Sequence, residues 1–190
     1  MACPSNRTQE GVENVLELSI LGFLHEGPLH GYELKERIRG LSGHVRPVSD
    51  GSLYPAINRL VGAGLVAEYS EPGAGAAPRR MLSLMDKGRA RLRERLRSPK
   101  PVEISDTQRF TVVLAFLRHL EDPAAQAAVL KRRLALLEEP TSFFYEDGVP
   151  VRMEDAGDPF RQGMLRVARA AGREERAWLR EVIGQLEEGG

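Results

Sequence analysis

The sequence predicts a mainly α-helical chain with one small β-hairpin, arranged as a compact first half and a second half of longer helices. Three observations predict it. Apolar residues recur at three- and four-residue steps in segment after segment, as they do on one-sided helices. Residues 65–84 depart from this, with two short extendable runs around a connection rich in Gly, Ala and Pro. Ser98-Pro99-Lys100-Pro101 then places two prolines within three residues, which stops a helix and divides 1–98 from 99–190.

The first helix is predicted from Val12, Val15, Leu16, Ser19, Ile20, Phe23 and Leu24, and Glu26-Gly27-Pro28 ends it. A second covers residues 32–39, with Leu34 and Ile38 on one face, and stops at Gly40. A third sets Leu53, Ile57 and Leu60 on one side and ends at Gly62-Ala63-Gly64. Pro55 is harmless only near a helix start, so the N-cap is expected at Ser52, after a looser turn from Ser49. A bent helix starting at Ser49 is the alternative. Residues 65–69 and 80–84 then pair across the connection 71–78, which is longer than a tight turn. A fourth helix covers 86–97.

Composition bounds the function. The 190 residues carry 27 Lys+Arg against 27 Asp+Glu, with 42% hydrophobic residues, enough for a packed core. The single Cys, Cys3, forms no disulfide within the chain, which fits a reducing cytoplasm. The longest apolar run, 110–117, is far short of the roughly 20 residues that span a bilayer, and no apolar stretch near Met1 suggests export. A soluble, cytoplasmic protein is expected. Charge is balanced overall but not locally. Residues 1–100 hold 15 Lys+Arg and 11 Asp+Glu, and eight of those cations fall between Arg79 and Arg97. A polyanion partner is therefore compatible with zero net charge, although a solvated helix face explains the same run.

Three short helices followed by a hairpin is the order of a winged helix-turn-helix. If Leu53, Ile57 and Leu60 face inward, a step of about 100° per residue turns Gly51, Pro55, Asn58 and Gly62 outward, with Tyr54 on one flank and Ser52 and Arg59 on the other. Such a face is small and uncharged enough to enter a groove. Asn58 can address an adenine edge with both donor and acceptor, while Ser49, Ser52 and Tyr54 hydroxyls suit phosphates or bases. Arg79 and Arg80 begin the returning strand, where wing residues reach phosphates or a minor groove. The bland alternative is an exposed polar helix beside a solvated hairpin.

Several segments carry a family resemblance: Leu18-Ser19-Ile20-Leu21-Gly22-Phe23-Leu24, then Gly27-Pro28-Leu29-His30-Gly31-Tyr32-Glu33-Leu34, then Ser49-Asp50-Gly51-Ser52-Leu53-Tyr54-Pro55-Ala56-Ile57-Asn58-Arg59-Leu60, and Arg79-Arg80-Met81-Leu82-Ser83-Leu84-Met85-Asp86-Lys87-Gly88-Arg89. In this order and spacing they resemble the PadR family of bacterial transcriptional regulators, over about residues 14–97. The resemblance implies a dimeric winged-helix protein that binds double-stranded DNA, usually as a repressor. It also implies DNA contacts from Tyr32, Ser52, Leu53 and Tyr54 and from the wing. Two positions depart from the family pattern. Met81 and Leu82 stand where aromatic residues are usual, and Met85 stands where a Thr often caps the next helix.

The second half reads as a helical dimerisation arm. Phe110, Val113, Leu114 and Leu117 form one helix, and Asp122-Pro123 opens another with Val129, Leu130, Leu134 and Leu137. Asp158-Pro159 opens a long helix to about Glu187. Its single apolar stripe is expected to hold Met164, Leu165, Ala168, Ala171, Gly172, Trp178, Leu179, Val182 and Leu186, with Leu165, Ala168, Gly172, Trp178, Leu179, Val182 and Leu186 meeting a second subunit or the preceding helices. A homodimer would hold two recognition helices about one DNA turn, roughly 34 Å, apart and select an inverted repeat.

Other chemistry is thin. His25, His30, His44 and His119 have no metal-ligand spacing, no phosphate-binding Gly loop follows a strand, and no catalytic set converges, so no metal, cofactor or enzymatic activity is expected. The resemblance implies that flat aromatic molecules can bind between dimer halves. Trp178 and the cluster Phe143, Phe144 and Tyr145 are the candidates to line such an effector pocket, with core packing as their competing use. A turn, or a small hairpin, is expected around Asp147-Gly148. The rival to DNA binding is a winged-helix module that contacts only protein.

Overall fold

The computed structural model describes residues 5–42, 49–71, 79–139, 145–146 and 149–189. Cys3, His44, the connection 72–78, Phe143 and Phe144 lie outside them. The chain forms two compact units, Met1–Leu120 and Glu121–Gly190.

In the first unit α1 (Ser5–Glu26) runs through the centre, with α2 (Gly31–Ser42), α3 (Asp50–Gly62), α4 (Asp86–Arg97) and α6 (Thr107–Phe116) packed around it. Leu18, Ile20, Leu21 and Leu24 of α1 meet a core that includes Leu34, Ile38, Leu53, Ile57, Leu92 and Phe110, all buried. Gly22 permits the closest approach. A Cβ there would sit 2.5 Å from the Phe116 ring, which instead lies edge-on to Phe23 at 5.0 Å.

Local chemistry accounts for the element ends, including those that differ from expectation. The second helix runs through Gly40 to Ser42, because an exposed Gly costs a helix only about 1 kcal/mol and tertiary packing outweighs that. The third starts at Asp50 with Ser49 as its N-cap residue, so Ser52 falls in the first turn and the alternative start is the one adopted. Pro55 then stands in the second turn. Its cost, up to about 3 kcal/mol, is offset by burying Leu53, Ile57 and Leu60 at roughly 1.5–3 kcal/mol each. The helix closes on Gly64, at φ +68°, where the Gly64 N–H donates to the Val61 carbonyl and the Leu65 N–H to that of Leu60, both at 2.9 Å.

The sheet has three strands, not two. β2 (Val66–Glu71) and β3 (Arg79–Leu84) form the expected hairpin, and β1 (Leu29–His30) adds to the other edge of β3, giving the order β1-β3-β2. Two residues with no alternation to read gave no strand signal in the sequence. Buried Leu82 answers the departure from aromatic residues, and Met85 leaves α4 without a side-chain cap, as expected. Gly88 lets α4 begin hard against the hairpin, since a Cβ would lie 2.2 Å from the Leu65 carbonyl oxygen.

The prolines near residue 98 do break the helix, but the compact unit continues past them. α5 (Pro101–Ser105), α6 and a 3₁₀ turn at Leu117–Leu120 stay with the first unit. Arg95, buried in α4, donates from Nη2 to Glu103 of α5 at 2.5 Å, and the second Glu103 oxygen accepts from the Lys100 N–H at 2.8 Å. Phe110 and Val113, expected in the arm, are buried in α6 on the side of α1 instead.

The second unit is a helical pair, α7 (Pro123–Glu138) against α8 (Pro159–Glu188), capped by Asp122 and Asp158 as predicted. The helices are antiparallel, for Arg180 meets Glu138 at 2.6 Å and Lys131 meets Glu187 at 2.5 Å. Between them Arg133, 2% exposed, grips both Glu175 oxygens at 2.7 and 3.2 Å. A small hairpin, β4 (Tyr145–Glu146) with β5 (Val149–Pro150), and a 3₁₀ turn at Glu154–Ala156 precede α8, and Arg169 donates to the Val151 carbonyl.

The apolar residues of α8 divide into two faces rather than one stripe. Leu165, Leu179 and Ile183 are buried within the chain, so of the two partners expected for Leu165 and Leu179 they meet their own chain. Phe160, Met164, Val167 and Trp178 lie about a third of a turn away and are exposed, Phe160 by 87% and Val167 by 70%. Ala168, Gly172, Val182 and Leu186 are half-buried along the border. Position around the helix sets the division: Leu165 and Met164, like Leu179 and Trp178, are neighbours along the axis but point about 100° apart.

Candidate nucleic-acid interface

The face of α3 opposite the core presents Gly51, Tyr54, Pro55, Asn58, Arg59 and Gly62, all exposed, with Ser49 at its start. Leu53 does not join them. It is fully buried, so the contact implied for it by resemblance is not open to its side chain. Ser52 is half-buried, and its hydroxyl donates to the Ser49 carbonyl at 2.9 Å with the Ser49 hydroxyl 3.2 Å away.

Tertiary packing brings the remaining residues together. Tyr32, 72% exposed at the start of α2, lies beside the Tyr54 side of α3, and Gly31 leaves room for the Tyr54 ring, whose Cε1 would be 3.5 Å from an added Cβ. Tyr32, Tyr54, Asn58, Glu68 and Arg80 line one open cleft of about 430 Å³, floored by Ile57 and Leu82. The cleft thus joins the start of α2, α3 and the β2–β3 hairpin. Arg79 opens β3 opposite Glu71. Arg59 is on the other flank of α3, in a smaller cleft of about 200 Å³ with Glu17 and Arg91.

Two acidic residues at this surface were not singled out in the sequence, and each is neutralised. Glu68 of β2 accepts two hydrogen bonds side-on from Arg80, one from Nε and one from Nη2 at 2.7 Å. Hydrogen bonding to Arg80 holds the Glu68 carboxyl below its ordinary pKa and raises that of Arg80. At the other end of α3, Asp50 pairs with Lys35 at 2.8 Å, and this hydrogen bond raises the Lys35 pKa. The signal for Glu68 was register: Ser70 stands opposite Arg80 and Glu68 opposite Leu82, so Glu68 reaches Arg80 diagonally. The long connection hid that register. The basic run along α4 is largely committed within the chain, with Arg91 on Glu17 and Glu94, and Arg95 on Glu103 and Glu17.

Residues 20–94 match the model of the transcriptional regulator PadR-like family. The chain carries a PadR-like domain. That domain spans α1 from Ile20 through most of α4, and so contains α3, the wing and the whole cleft. No curated protein matches the sequence. Among solved structures, a transcriptional regulator from Clostridium thermocellum is 22% identical, with a TM-score of 0.42 over 45% of this chain and 83% of its own. Bacillus subtilis PadR in complex with operator DNA is 20% identical, with a TM-score of 0.44 over 90% of this chain and 99% of its own. The same Bacillus protein in complex with p-coumaric acid is 19% identical, with a TM-score of 0.41 over 91% and 99%.

Outside this cleft, the His25 and His119 rings lie 4.4 Å apart and tilted by 40°, a contact their sequence positions did not suggest. Among the described residues no group of three or more His, Cys, Asp or Glu is arranged to hold a metal ion. No helix among them is long and apolar enough to cross a membrane.

Proposed function

We propose that the protein is a homodimeric, sequence-specific transcriptional regulator that represses by occupying an inverted-repeat operator on double-stranded DNA in the cytoplasm. It acts by occupancy and not by catalysis. The observation that carries this reading is the exposed, small and polar face of α3, with Tyr32, Tyr54, Asn58 and Arg80 converging on one cleft beside it. Asn58 reads a base edge, Tyr32, Tyr54, Ser49 and Ser52 fix the protein on the backbone, Arg59 and Arg79 supply charge, and Arg80 reaches the DNA from the wing.

The exposed stripe of α8, Phe160, Met164, Val167 and Trp178, is the seam of the dimer, bordered by Ala168, Gly172, Val182 and Leu186. One winged helix buries little surface on DNA, and two linked copies convert weak contacts into useful avidity. Trp178 on that seam is the place for a small aromatic effector. A ligand bound more tightly by the DNA-incompetent dimer would release the operator.

A mobility-shift titration with the duplex upstream of the protein's own coding sequence tests the reading. The expected shift survives excess random duplex and weakens with salt; loss of the shift at equal masses of random DNA would overturn it. p-Coumaric acid is the first effector probe, because Trp178 is the single Trp and its fluorescence reports binding directly.

A further inference from the structure

We infer that Glu68 is a specificity-determining residue of the DNA interface, which holds the Arg80 guanidinium in one orientation beside α3 and cancels its charge toward non-specific DNA. The inference rests on the DNA-binding reading and deepens it. Glu68 takes the Nε and inner Nη2 side of the guanidinium. The outer edge, formed by both terminal nitrogens, is turned to solvent on a side chain 72% exposed. A guanidinium has five N–H groups in a rigid fork, so fixing one edge aims the other. That outer edge matches two acceptors side by side, as on guanine O6 and N7. Asn58 and Tyr54 line the same cleft, so the fork lies beside the residues that read bases.

The second consequence is electrostatic. Random duplex binds through counterion release, which grows with the number of phosphates a protein neutralises. A cation already paired with a carboxylate neutralises little. Lys35 and Asp50 repeat the device at the opposite end of α3, so Tyr54 stands between two self-neutralised pairs. The interface therefore forgoes phosphate attraction at the positions nearest the bases, which lowers affinity for every sequence and leaves oriented contacts to choose among them.

The test compares wild-type protein with Glu68→Gln on two duplexes, one random and one selected by the wild type from a random pool, each over a salt series. The substitution keeps the size of the side chain, but the amide cannot accept both bonds or neutralise Arg80. The variant should bind random duplex more tightly, with a salt slope steeper by about 0.9 for each wing in contact. Its preference for the selected duplex should fall about tenfold, the scale of one misaimed bidentate contact. Unchanged or weaker binding to random DNA overturns the inference, and so does an equal gain on both duplexes. Thermal unfolding of the free variant checks that it folds. Failure of the wild type to enrich any sequence would instead overturn the DNA-binding reading, a result distinct from either outcome with the variant.

Discussion

Replacing Glu103 with Ala should destabilise the first unit by about 4 kcal/mol. Glu103 is 1% exposed and Arg95 6%, so the substitution leaves a guanidinium in a site from which water is excluded. Breaking a buried pair from one side costs about 3–5 kcal/mol. The lower end applies here, because the Glu17 carboxylate, which also pairs with Arg91, still lies 3.5 Å from Arg95 Nη1. Losing the acceptor for the Lys100 N–H at the start of α5 adds about 1 kcal/mol. With a urea m-value of about 2 kcal/mol/M, the midpoint should fall by about 2 M at unchanged m. Glu103→Gln should lose less, as it keeps the shape and one acceptor. Joint replacement of Arg95 by Met and Glu103 by Leu should recover most of the loss, because neither charge then needs solvation. The same physics predicts that a fragment ending at residue 98 unfolds easily and one ending at residue 120 does not. The reasoning is refuted if Glu103→Ala lies within about 1 kcal/mol of wild type in urea unfolding, or if the double replacement is as damaging as the single one.

Gly22→Ala should cost about 1–2 kcal/mol, since its Cβ would enter the buried Phe116 ring, whereas Gly40→Ala, with nothing within 4 Å, should stabilise by about 0.5–1 kcal/mol; urea midpoints measure both. Asn58→Ala should fold normally and relax the sequence choice, read as a mismatch penalty of about 1–3 kcal/mol lost at one operator position in a competition assay. Val167→Glu puts a charge on the exposed stripe of α8 without touching the core, so sedimentation should find a monomer with unchanged helix content. A dimer retained by that variant would remove the stripe from the interface.

Sequence pattern sufficed wherever a local rule applied. Periodic apolar residues marked α1 to α3 and the outward face of α3, Asp122-Pro123 and Asp158-Pro159 marked the starts of α7 and α8, and the ordered motifs from Leu18 to Arg89 marked the segment that matches the PadR-like model. It did not reach what depends on which surfaces meet. β1 exists only because β3 has a free edge for two residues to join, and α3 absorbs Pro55 only because its buried side repays the cost.

The apolar pattern of α8 likewise shows that its residues avoid water, but periodicity cannot say whether a given face meets the same chain or another. The packing of α7 against α8 decides that, burying Leu179 and leaving Trp178 beside it exposed. Glu68 makes the same point at the cleft beside α3. As a letter in the sequence it is one more solvated carboxylate; the strand register, set by long-range pairing across the long connection, makes it the partner of Arg80. What the sequence by itself determined is the set of elements and the chemistry each can offer, because both arise from neighbours along the chain. The tertiary structure decided the pairings of charge and the covered faces, because those energies depend on atoms distant in sequence.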